Sequence, residues 1–66
     1  MSFWLMVAET IQRGGYAYRA GWTGKRISFD FHRGKHTMII ERRDHGTIHP
    51  YCPSKDDAGA TDWMIS

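Results

Sequence analysis

Stabilising devices are scarce in this chain. Its 66 residues contain one cysteine and two prolines. The lone Cys52 excludes an intramolecular disulfide, and a free thiol suits a reducing cytosol. Metal ligation is poorly provided for. His32, His36, His45 and His49 come without the cysteine pairs of a zinc site. His32 and His36 would share a face on a helix, but their segment reads as two strands about a turn. No metal and no cofactor are expected. Long apolar runs are missing too: nothing approaches the ~20 residues of a membrane helix. Phe3 to Ala8 is apolar but short and lacks a basic leader, so no secretory signal and no membrane association are read. A net charge of +2 is too small for an obligate DNA binder. Catalytic groups are wanting as well. His49 and Cys52 are three apart, which on a strand puts them on opposite faces. The chain is read as not an enzyme.

A chain of this length is one domain, residues 1–66. Such a domain buries only about 60% of its unfolded surface. With no staple available, self-association is the expected source of stability.

Local patterns set out the elements. Ser2 is a helix N-cap, and Phe3, Met6, Val7 and Ile11 recur at helical spacing, with Trp4 and Leu5 widening the stripe. Gly14-Gly15 ends that helix near Arg13. Tyr16, Ala17 and Tyr18 suit a short strand. Gly21 to Gly24 turns the chain. Ile27, Phe29 and Phe31 alternate with polar neighbours as a half-buried strand. Arg33-Gly34-Lys35 turns again. Thr37 to Glu41 and Thr47 to Tyr51 make two more strands about Asp44-His45-Gly46, and Pro53 stops the ladder. Ser54, with Asp57 three residues on, resembles a capping box for a short helical turn through Ala60. Asp62 to Ile65 returns as a last strand, with Trp63 in the core. The expected class is α+β: an N-terminal helix packed on a small, mostly antiparallel sheet, with a short second helical turn before the last strand.

Arg19-Ala-Gly-Trp22-Thr-Gly24-Lys25 concentrates chemistry in seven residues. Arg and Lys can grip phosphate while an uncrowded ring stacks on a base. Tyr18 and Tyr51 add ring surface, and Arg26 adds a third cation. The same residues also suit a plain hairpin turn whose Trp covers a small core. Arg42-Arg43, between Glu41 and Asp44, reads as a solvated edge that discourages strand pairing. Positive charge gathers between Arg13 and Arg43, and Asp56, Asp57 and Asp62 make the end acidic. This division suits a local anion site or two complementary faces of an oligomer.

Two segments in order carry a family resemblance. One is Arg19 to Lys25, after an apolar helix ending in Gly14-Gly15. The other runs from Pro50-Tyr51 through Ser54, Asp57 and Ala60 to Asp62-Trp63. Together they resemble the second Thoeris anti-defence family of phage sponge proteins. The resemblance implies a viral protein in the host bacterial cytoplasm that sequesters a cyclic nucleotide immune signal without cleaving it. The signal would be glycocyclic ADP-ribose or a cyclic di- or trinucleotide, held between protomers of a homo-oligomer. It assigns stacking to Trp22 and, more weakly, to Tyr51. Arg19 and Lys25 would sit near phosphate or fix the turn around Gly24. Ser54 and Asp57 would belong to a polar loop at the ligand. The middle segment is shorter than in longer relatives, and Thr23 stands where Asn is commoner. Ligand identity therefore does not transfer, although the extra Arg and His favour a phosphate-rich cyclic dinucleotide. Two other classes fit the residues: a phage structural or regulatory interaction module, and a small single-stranded nucleic-acid binder.

Overall fold

A computed structural model describes all 66 residues. The elements run α1 (Phe3–Arg13), β1 (Ala17–Arg19), β2 (Lys25–His32), β3 (Lys35–Arg42), β4 (Thr47–Pro50), α2 (Lys55–Gly59) and β5 (Trp63–Ile65). The five strands form one antiparallel sheet in the order β4-β3-β2-β1-β5. This is the α+β arrangement expected from the patterns.

The caps set the helix ends. Ser2 Oγ accepts from Leu5 N, and Gly14 closes α1 at φ 68°, where its N–H reaches the Thr10 carbonyl. A left-handed residue there costs glycine no Cβ clash. Gly15 allows a close approach, since a Cβ on it would lie 2.6 Å from the Ser66 backbone oxygen. Strand β3 begins at Lys35, because Arg33 and Gly34 alone make the β2–β3 turn at φ 52° and 77°. Two positive-φ residues match the twist of the paired strands. Strand β4 stops at Pro50, one residue short of the expected Tyr51.

Five hydrophobic side chains are buried: Phe3 and Met6 from α1, and Ala17, Ile27 and Trp63 from the sheet. They lie between the helix and one sheet face. Trp63 is the hub, with Phe3 edge-on at 5.7 Å and Trp22 edge-on at 5.3 Å between ring centroids.

Three expectations need correction. Trp4 and Leu5 do not widen the buried stripe; they are 74% and 50% exposed. The buried face is instead Phe3, Met6 and Thr10 with Val7 beside it. Phe31 follows the alternation but is 66% exposed. The eight-residue β2 projects beyond the part of the sheet that the helix covers. Asp57 does not complete a capping box: Ser54 Oγ accepts from Asp57 N, but the Asp57 carboxylate turns toward Arg19 and Tyr51 instead of the Ser54 backbone.

Strand alternation places Tyr18, Arg26, Ile39, Ile48 and Met64 on the sheet face opposite α1. No element covers that face, and Ile48 and Met64 are 60% and 46% exposed.

Candidate functional site

The residues expected in one site fall into two groups, joined through the two tryptophans. The first is an ion-pair network at the β1–β5 end of the sheet. Arg19 Nε donates to Asp62 Oδ1 and Arg19 Nη1 to Asp57 Oδ1, both at 2.9 Å. The Tyr51 hydroxyl donates to Asp57 Oδ2. Ser54 caps α2 and so fixes Asp57 in its first turn. Trp63 Nε1 donates to the Asp57 carbonyl at 3.0 Å, which locks the core ring to the same residue. Arg19, Tyr51, Ser54 and Asp57 are thus engaged within the protein. Their arrangement positions Trp63, and Trp63 in turn backs Trp22.

The electrostatics follow from this closure. Burial pushes the Asp57 carboxyl up, but the Tyr51 hydroxyl and the Arg19 guanidinium outweigh it and hold Asp57 below its usual 3.8. Burial, then the Asp57 carboxylate, push the Tyr51 hydroxyl well above the usual phenol range. The Asp62 carboxylate, followed by that of Asp57, raises Arg19 further. A carboxyl held low in the folded state contributes stability above its unfolded value, and that contribution is lost as pH falls through the folded value. Thermal melts taken from neutral into acid are therefore expected to show a midpoint falling below about pH 4, with Asp57→Asn flattening part of that fall. A midpoint equally acid-sensitive in both proteins contradicts this role for Asp57.

The second group lines an open cleft of about 250 Å³ bounded by Tyr18, Trp22, Gly24, Lys25, Arg26 and Arg43. Lys25 Nζ lies 4.5 Å from the centre of the Trp22 ring, within cation–π range. Gly24 turns at φ 74°, and its carbonyl accepts from Arg43 N at 2.7 Å. That bond brings the end of β3 against the β1–β2 turn and so delivers Arg43 to the cleft. Arg26 bounds the cleft with its guanidinium already engaged, 2.6 Å from Glu41 Oε1 and stacked 3.6 Å from the Tyr16 ring centre. Lys25 and Arg43 have no carboxylate partner, unlike Arg13, Arg19, Arg26 and Arg42. Within this cleft they are the cations left for a ligand.

Trp22, Gly24 and Lys25 are therefore together, whereas Arg19, Tyr51, Ser54 and Asp57 stand behind them. Arg43 was read from sequence as solvated edge. Its place is decided by the Gly24–Arg43 backbone bond across 19 residues of chain, which leaves no local signal. Cys52 is exposed and outside β4. No three His, Cys, Asp or Glu side chains gather around a metal position.

A helix on one face of a five-stranded sheet, with an aromatic cationic cleft beside Trp22, defines a small α+β domain. The chain belongs to the Thoeris anti-defense 2-like (Tad2-like) domain family, whose model matches residues 1–66. This is the family expected from Arg19 to Lys25 and Ser54 to Trp63. It is an anti-defence family and not a known class of enzyme. The comparison with curated proteins gives no match. No helix is long and apolar enough to cross a membrane.

Proposed function

We propose that this protein binds a cyclic nucleotide immune signal in the host cytoplasm and withholds it, uncleaved, from its effector. The observation that carries the reading is the meeting of Trp22 with two carboxylate-free cations, Lys25 and Arg43, in one cleft. A ring face takes a base by stacking, and the cations take phosphate. No poised nucleophile and base accompany them, which supports binding without turnover.

Size supports a shared site. The cleft is about 250 Å³, below the roughly 300–1,000 Å³ of sites that enclose drug-sized ligands. Nanomolar sequestration requires about −12 kcal/mol, and stacking supplies roughly 1–3 kcal/mol per base. A second copy closing over the cleft would add contacts and exclude water. The bare sheet face with Ile48 and Met64 is a suitable surface for such a homodimer or homotetramer.

The test is native mass spectrometry with cyclic dinucleotides, a cyclic trinucleotide and glycocyclic ADP-ribose, followed by heat denaturation. Binding of one class, with the intact ligand recovered, is expected. Recovery of a linear product overturns the reading in favour of catalysis. Absence of binding to every member favours a protein-interaction module. Preference for oligonucleotides with steep salt dependence favours a nucleic-acid binder.

A further inference from the structure

A second cavity, of about 370 Å³, lies between the C-terminal end of α1 and the β2–β3 hairpin. Thr10, Gly15, Tyr16, Phe29, Phe31 and His36 line it. It shares no lining residue with the cleft at Trp22. We propose that this cavity binds an uncharged, planar heteroaromatic molecule with an N–H donor, of the class of a nucleobase or nucleoside.

Four features carry the assignment. Thr10 is 1% exposed, and its Oγ1 is buried without any hydrogen-bond partner. An unsatisfied buried hydroxyl carries a desolvation cost, which a ligand N–H removes once it displaces the side chains that shield the oxygen. Two rings stand at the cavity lip: Phe31 and His36, paired across the hairpin, have centres 4.9 Å apart and planes tilted by 52°. Phe31 is the exposed ring that the helix leaves uncovered, so a stacking ligand shields it from water. The charge argues against phosphate. No Lys, Arg, Asp or Glu lines the cavity, and the C-terminal end of a helix carries partial negative charge and acceptor carbonyls. The volume sits at the small end of ligand sites, which suits a nucleoside and not a dinucleotide.

The proposal is independent of the Trp22 cleft, and its test separates the two. Amide spectra of the ¹⁵N-labelled protein are recorded during titration with adenosine, cytidine and their 5′-monophosphates, at low and high salt. Shifts are expected at Thr10, Gly15, Phe29, Phe31 and His36, with the nucleoside binding at least as tightly as its monophosphate and indifferent to salt. Thr10→Val keeps the shape and removes the acceptor, and is expected to weaken binding about tenfold. Phe31→Ala removes an exposed wall at little cost to folding and is expected to weaken binding similarly, whereas Lys25→Ala leaves it unchanged. Absence of shifts with millimolar nucleoside overturns the proposal. So do shifts confined to the Trp22 cleft, or parent-like binding by both Thr10→Val and Phe31→Ala.

Discussion

Trp63→Ala is expected to remove at least half of the domain's stability. Truncating a buried Trp costs about 3–5 kcal/mol. A chain of 66 residues has roughly 3–10 kcal/mol in total, at about 0.05–0.15 kcal/mol per residue. The loss here falls at the high end, because Trp63 contacts both Phe3 and Trp22 and ties its indole N–H to the Asp57 carbonyl. Only four other hydrophobic side chains are fully buried, so little remains to hold α1 on the sheet. Trp63→Phe keeps a ring and loses the hydrogen bond, and is expected to fall between parent and Trp63→Ala. Urea denaturation followed by far-ultraviolet circular dichroism measures the series. A cooperative Trp63→Ala transition at the parent midpoint would show that the core lies elsewhere.

Removing Lys25 and Arg43 is expected to abolish signal binding with the fold intact. A charge-assisted hydrogen bond is worth about 1.5–3 kcal/mol, so each single alanine variant should weaken binding roughly 10- to 150-fold. The two flank one cleft, and their effects need not add. Neither has a carboxylate partner, so truncation strands no charge; Lys25→Ala forfeits only the cation–π contact with Trp22, and the thermal midpoint should fall by no more than a few degrees. Trp22→Ala is the weaker experiment: that ring also packs on Trp63, so lost binding would be mixed with lost stability. Titration calorimetry with the cyclic nucleotide found by mass spectrometry, beside melting curves, reads both quantities. Parent-like affinity in the Lys25→Ala, Arg43→Ala double variant would remove the cleft from the proposed function.

Arg19 shows why a local motif misleads about roles. Its neighbours Trp22 and Lys25 face a cleft, but its own guanidinium is spent on Asp57 and Asp62, some forty residues away. The division of charge along the chain is thus partly neutralised inside one protomer. Arg43 is the opposite case. A residue that reads as solvated edge reaches the cleft because Gly24 accepts its backbone N–H. Trp4 and Phe31 were legible as apolar, but their exposure was not. That depends on how far a helix of eleven residues covers strands of eight.

The sequence by itself determined the element order, the caps at Ser2, Gly14 and Ser54, a turn around Gly34, the core place of Trp63 and the family. Each of these rests on interactions within a few residues or on a motif readable along the chain. Tertiary structure alone decided which cations are free, which aromatic rings remain open, and where two cavities form. Those outcomes depend on pairing between distant segments: Arg19 with Asp57, Gly24 with Arg43, and α1 with part of one sheet face. Whether a charged side chain is available to a ligand is settled by the partner that reaches it first, and sequence spacing carries no record of that partner.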